Sequence, residues 1–226
     1  MKELFKKYGL DLSQKAEEKF EKYYLLLKEY NDKFNITAIT EREEVIIKHF
    51  IDSAVGSMLI SGKTLIDVGS GGGFPAIPLK IMNEDLDLTM VEATGKKAGF
   101  LEVLIKELDL KNTRVINKRA EDLGKELKFR ESFDICTARA VARLNTLSEY
   151  CLPFIKVGGI FVAYKGNACE EIKEARSAVK ILGGEIKEVK EYKIDGAERT
   201  LAVIEKKFPT DKKYPRGNGK ERKNPL

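Results

Sequence analysis

Leu65-Ile66-Asp67-Val68-Gly69-Ser70-Gly71-Gly72-Gly73-Phe74-Pro75 reads as a buried strand, a sharp turn and the start of a helix. A short apolar run ends in a burst of glycine, and a Pro-punctuated apolar segment follows. A backbone without Cβ atoms turns tightly and lets a ligand lie against it. Gly69, Gly71 and Gly73 stand at every second residue. A dinucleotide fingerprint, G-x-G-x-x-G, would place its third glycine at position 74, which is Phe. Pro75 and Pro78 fall in the first helical turn, and each removes an N–H that a phosphate would use. The loop therefore suits a nucleoside without phosphate. S-adenosylmethionine is the expected ligand, with Gly69 and Gly71 against it.

Outward from this loop the chain alternates. Strands are expected at 64–69, 86–92, 113–118, 133–138 and 158–165, with helices near 75–83, 95–109 and 144–156 between them. That pattern specifies an α/β fold with a Rossmann-like, mostly parallel sheet. A helix over 168–182 follows, and then two strands, 185–194 and 199–206, joined around Asp195-Gly196. Without a helix between them they form a terminal antiparallel pair. Before the loop, Phe20, Tyr23, Tyr24, Leu27, Tyr30 and Phe34 recur at helical spacing, an aromatic stripe expected to pack against the main domain. Thr40 with Glu43 reads as a capping box opening a second helix. The expected division is an N-terminal helical extension (1–62), a main domain (63–207) and a basic tail (208–226).

Ligands of such sheets lie across the C-terminal strand ends, so the residues after each strand are the candidates. Glu92 ends the second strand, where a carboxylate accepts both ribose hydroxyls. Ala120 and Glu121 follow the third, placed to flank a base and accept from its exocyclic amine. Arg139 and Arg143 follow the fourth and could clamp a substrate phosphate or a cofactor carboxylate. Asp67 lies inside the first strand and needs a donor, with the loop's own N–H groups as candidates.

The chain is 42% hydrophobic and 34% charged, ordinary for a protein with a packed core. It contains no apolar run of transmembrane length. Its three cysteines lack metal or C-x-x-C spacing, which points to reduced thiols, a cytoplasmic setting and no metal. Of the net charge of +5, residues 206–226 hold eight basic residues against two acidic ones. Either a polyanion partner or a solvated tail accounts for that run. Pro209, Pro215, Gly217 and Gly219 lead us to expect loose structure there. His49 is the only histidine and precedes the main domain, which argues against a Ser-His-Asp triad. A ring nitrogen with an exposed lone pair, such as guanine N7, accepts a methyl without a general base, so the scarcity of catalytic bases is consistent with that acceptor.

Phe34-Asn35-Ile36-Thr37-Ala38-Ile39, His49-Phe50-Ile51-Asp52-Ser53, the glycine stretch through Pro75, Arg139-Ala140-Val141-Ala142 and Lys165-Gly166 together resemble the glucose-inhibited division protein B family of small-subunit ribosomal RNA guanine-N7 methyltransferases. The resemblance implies a class I S-adenosylmethionine-dependent methyltransferase fold with an N-terminal helical extension. It implies methyl transfer to one guanine N7 of 16S ribosomal RNA, with that RNA or the small subunit as partner. A monomer is expected. Carried over position by position, the implied cofactor contacts fall on Gly69, Phe74, Ala120 with Glu121, and Arg139. The chain departs from the family at Glu92-Ala93-Thr94 and at Gly219-Lys220-Glu221-Arg222. Alternatives are a methyltransferase acting on a small molecule or protein, and an RNA-binding assembly factor without catalysis.

Overall fold

The computed structural model describes residues 1–226. Seven strands form one sheet in the order β3-β2-β1-β4-β5-β7-β6. They are β1 (Thr64–Val68), β2 (Asp87–Val91), β3 (Thr113–Ile116), β4 (Phe133–Arg139), β5 (Ile155–Lys165), β6 (Gly184–Ile194) and β7 (Ala197–Lys206). The first five pair in parallel, and β7 runs antiparallel to both β5 and β6. Strand order reverses at β1, which lies between β2 and β4, so the switch point and the glycine loop coincide.

Period-two alternation divides β1 between two cores. Leu65 joins one apolar cluster, while Ile66 and Val68 join the other. The first core is covered by the N-terminal helices with α5 (Ala76–Met82) and α6 (Gly95–Glu107), the second by α7 (Ala120–Leu123), α8 (Leu144–Cys151) and α9 (Cys169–Ile181). The N-terminal helices are α1 (Lys2–Lys7), α2 (Gln14–Phe34), α3 (Arg42–Val45) and α4 (Asp52–Ala54), with a widened π turn at Ile46–Ile51. Ser13 caps α2 by accepting the Ala16 N–H at 3.1 Å, and Asn35 ends it in the left-handed conformation. The expected aromatic stripe is the packed face: Phe20, Tyr23, Tyr24 and Leu27 are buried. The Tyr23 hydroxyl donates to the Gly72 carbonyl at 2.5 Å, fastening α2 to the glycine loop.

Three expectations change. Thr40 does not cap the second helix, which starts at Arg42 with Glu41 as its first flanking residue and no side-chain cap. The preceding turn is held by Thr37 instead, whose N–H donates to Asn31 and whose hydroxyl accepts from the Ile39 N–H. Helix α8 stops at Cys151, because Pro153 lacks the N–H of a further turn, and β5 begins at Ile155, continuing through an irregularity between its first two pairings with β4.

The third concerns the tail. Residues 207–226 form almost no regular structure, only the short α10 (Lys220–Lys223), but they are docked rather than loose. Thr210, Tyr214 and Glu221 are buried. Arg130 donates to the carbonyls of Thr210, Asp211 and Tyr214, and Arg216 forks onto the fully buried Glu149 carboxylate at 2.7–3.2 Å. Proline and glycine exclude helix and sheet but not tertiary contact, and distant charged partners hold this segment. No helix is long and apolar enough to cross a membrane.

Candidate functional site

The glycine loop is tied to the neighbouring strand by Gly69 and Ser70 N–H groups, which donate to the Val91 carbonyl at 2.8 and 3.2 Å. Gly69 and Gly73 have φ of +73° and +100°, where an L side chain is strained. Space forbids one as well. A Cβ at Gly69 would lie 2.6 Å from Val141 Cγ2, and at Gly73 2.6 Å from the Tyr23 hydroxyl.

Glu92, rather than Asp67, takes the loop's free amide. Because β2 pairs in register with β1 (Val68 opposite Val91), Glu92 falls beside the loop. Its Oε2 accepts the Gly71 N–H at 2.8 Å and its Oε1 the Thr94 N–H at 2.7 Å, with lone pairs left over. The loop N–H groups considered for Asp67 are therefore not its partners. Asp67 Oδ1 accepts from the Thr137 hydroxyl at 2.6 Å, and Oδ2 has no partner. Burial raises the Asp67 pKa to about 7.

Beside the loop opens a cavity of about 580 Å3 whose lining includes Gly69, Val91, Ala120, Glu121, Val141 and Tyr150, a volume in the range of small-molecule sites. A second cavity of about 340 Å3 is lined by Lys48, His49, Asp52, Arg139, Lys165 and Arg199. The end of β4 and the residues just after it lie between them: Arg139 and Ala140 line the second, Val141 the first. Ala140 is left-handed (φ +57°). The expected site residues thus divide. Gly69, Ala120 and Glu121 line the larger cavity, Gly71 and Glu92 form the loop support, Arg139 lines the smaller cavity, and Phe74 is buried behind Arg139 and His49.

Arg139 and Arg143 do not form a clamp. Arg143 is exposed and pairs with Glu174 on α9, whereas Arg139 turns back onto the N-terminal helices. Arg139 Nη1 donates to Asp52 Oδ2 at 3.0 Å and to the Lys48 carbonyl at 3.1 Å, and Nη2 donates to His49 Nδ1 at 2.9 Å. The guanidinium lies 5.0 Å from the Phe74 ring centroid, and His49 stacks on the same ring at 4.5 Å. Asp52 also accepts from the Tyr192 hydroxyl at 2.9 Å and lies 3.6 Å from Arg199. Arg139 Nε–H and one Nη2–H have no partner within the protein, leaving two donors for an anionic group. Lys165, which lines the smaller cavity, is engaged by Glu171 and the Ala142 carbonyl.

Strand-end position does not identify His49 and Asp52, which precede the sheet. Their signal was the i, i+3 spacing within His49-Phe50-Ile51-Asp52, which places both on one helical face. Since Arg139 can only donate, His49 Nδ1 is the acceptor and Nε2 carries the proton, which it gives to Thr37 Oγ1 at 2.7 Å. Burial, then Arg139, lower its pKa from 6.5 to about 3, so the ring is neutral and both nitrogens are occupied.

A pH dependence follows. Below about pH 6.5 the unfolded chain protonates His49 and the folded chain does not, so its contribution to stability is lost progressively as pH falls from 6.5 towards 3. The slope approaches about 1.4 kcal/mol per pH unit. Asp67 works oppositely: raised from 3.8 to about 7, it keeps a proton that the unfolded chain loses, and destabilises increasingly as pH rises between those values. The readout is therefore the difference between proteins. His49→Gln is expected to lose stability less steeply than wild type between about pH 6 and 4 in denaturant titrations, and parallel curves would contradict the assignment.

The family described as rRNA small subunit methyltransferase G (GidB) matches residues 16–202. A ribosomal RNA small subunit methyltransferase G from Lactobacillus johnsonii is 46% identical over 97% of this chain and 95% of its own. One from Acetivibrio thermocellus is 45% identical over 97% of this chain and 92% of its own. Among solved structures, a SAM dependent methyltransferase from Aquifex aeolicus superposes with a TM-score of 0.55 at 16% identity, covering 75% of this chain and 96% of its own. TYW2 from M. jannaschii, solved in complex with AdoMet, gives 0.54 at 16% identity over 70% and 76%. At these identities the structural likenesses are of fold.

Proposed function

The chain belongs to the rRNA small subunit methyltransferase G family, and we propose that it transfers the methyl group of S-adenosylmethionine to N7 of one guanine in 16S ribosomal RNA. The observation that carries this reading is the pair of cavities on either side of residues 139–141: one nucleoside-sized against the glycine loop, the other lined by cations.

The residues present fit the cofactor. Gly69 borders the cavity, and Gly71 leaves the loop backbone open to close approach, since a Cβ there would meet nothing nearer than the Gly69 carbonyl oxygen at 3.8 Å. Glu92 keeps unused lone pairs for ribose hydroxyls after fixing the Gly71 and Thr94 amides. Ala120 and Glu121 offer a small surface and an acceptor to a base. Arg139 presents two free donors beside the smaller cavity, suited to a carboxylate or an RNA phosphate, and Phe74 and His49 fix its guanidinium plane. When bound, S-adenosylmethionine would supply an electrophilic methyl group on a sulfonium sulfur, open to attack by the N7 lone pair with a neutral thioether as the leaving group.

No proton leaves N7, so the protein's task is to orient and to stabilise charge. That agrees with the groups at hand. His49 is neutral with both nitrogens committed, and Asp67 is fully buried beneath the loop. Lys48, paired with Glu44, and Arg199, beside Asp52, border the same cavity, where they can exchange part of that pairing for an RNA phosphate.

The test is methylation by the purified protein of 16S RNA lacking its 7-methylguanine, as naked RNA, small subunit and whole ribosome in parallel. Mass spectrometry is expected to show one new 7-methylguanine in at least one of the three. An unchanged modification map in all three would overturn the proposal. Absence of S-adenosylmethionine binding on titration would favour an assembly factor.

A further inference from the structure

The larger cavity has a wall that the strand-end residues do not supply. Asn218, Gly219 and Arg222, from the C-terminal segment, line it together with Ala120, Glu121 and Tyr150. This segment is fixed in place. Glu149, the α8 residue next to Tyr150, is fully buried and accepts both the backbone N–H and the guanidinium of Arg216. Glu221 is also fully buried: its carboxylate accepts the Gly217 N–H, and its carbonyl accepts the Thr146 hydroxyl at 2.9 Å. Lys125 donates to the Arg216 carbonyl at 3.4 Å. These contacts hold residues 216–221 on α8, and their geometry leaves Arg222 exposed at the cavity.

We propose that the C-terminal segment is part of the nucleoside-binding site, with Arg222 as a binding residue for the base end of the cofactor. The inference rests on the proposed use of S-adenosylmethionine. A guanidinium is planar and donates without accepting, so it can lie over a purine face or donate to a ring nitrogen. Glu121 on the same wall offers the complementary acceptor for the exocyclic amine. The same placement means that the tail's positive charge is not simply a free arm for RNA: Arg216 is consumed by Glu149 and Arg222 faces the cofactor cavity, while Lys212, Lys213, Lys220 and Lys223 are exposed.

The experiment is calorimetric titration of the full-length protein with S-adenosylhomocysteine, for wild type, Arg222→Ala and Arg222→Lys, with KM for RNA measured alongside. Arg222 is exposed and its removal leaves the Glu149 and Glu221 anchors intact. We expect Arg222→Ala to weaken S-adenosylhomocysteine binding about tenfold, Arg222→Lys to recover part of the loss, and KM for RNA to stay near wild type. Hydrogen exchange of residues 217–223 is expected to slow on adding S-adenosylhomocysteine to wild type. Unchanged affinity in Arg222→Ala together with unchanged exchange overturns the inference while wild-type binding upholds the cofactor reading. A raised KM for RNA with unchanged S-adenosylhomocysteine affinity also overturns it, in favour of an RNA contact. Failure of wild type to bind S-adenosylhomocysteine overturns the cofactor reading itself.

Discussion

Asp52→Ala is expected to lower the thermal midpoint by roughly 10 °C and to abolish methyl transfer. Asp52 is 4% exposed and joins three parts of the chain: α4, where it resides, Arg139 at the end of β4, and Tyr192 with Arg199 on the β6–β7 pair. Removing one member of a buried charge pair leaves the other unpaired in a poorly solvated site, at a cost of about 3–5 kcal/mol. Arg139 would then have only the Lys48 carbonyl and His49 to hold it, and its two free donors would no longer be aimed. Asp52→Asn separates charge from shape, since the amide can still accept from Tyr192. It is expected to fall between alanine and wild type in stability but to remain far below wild type in turnover. A midpoint within about 2 °C of wild type for the alanine variant would show that Arg139 is positioned by other means, because in a chain of this size that shift corresponds to under about 1 kcal/mol.

The second large effect is expected at Glu92. Its carboxylate holds the Gly71 and Thr94 amides, and hydrogen bonds to a charged group contribute about 1.5–3 kcal/mol each. Glu92→Ala therefore releases the loop as well as any ribose contact. Affinity for S-adenosylhomocysteine is expected to fall on the order of a hundredfold, with far-ultraviolet circular dichroism unchanged, because β2 is buried and paired on both sides independently of this side chain. Glu92→Gln keeps one acceptor and is expected to lose less. Calorimetric titration distinguishes the three proteins, and an alanine variant within about twofold of wild type would remove Glu92 from the site.

Both effects bear on what was legible beforehand. The second strand end was readable because an apolar run followed by an acid marks where a buried strand meets solvent. That Glu92 serves the glycine loop was not readable, since it needs β2 beside β1 in a particular register. In sequence Phe74 breaks a dinucleotide pattern and stands at a position where the family resemblance implies a cofactor contact. The fold gives it a physical function as the ring on which both His49 and Arg139 rest. The two-arginine clamp failed for a related reason: Arg139 and Arg143 are neighbours in sequence, but the left-handed Ala140 and the start of α8 send them to different partners.

By itself the sequence determined the glycine turn, the strands that feed it, the covering helices and the terminal antiparallel pair, whose Asp195-Gly196 turn has both residues at positive φ. These features are local: apolar period, chain stiffness and freedom at glycine and proline are properties of a few consecutive residues. Only the tertiary structure decided that Asp52 meets Arg139 across 87 residues, that Glu149 secures Arg216 across 67, and that an irregular tail is a wall of a cavity. Charge pairs and cavities are formed by residues that strand order brings together, and no periodicity in one segment encodes the partner supplied by another.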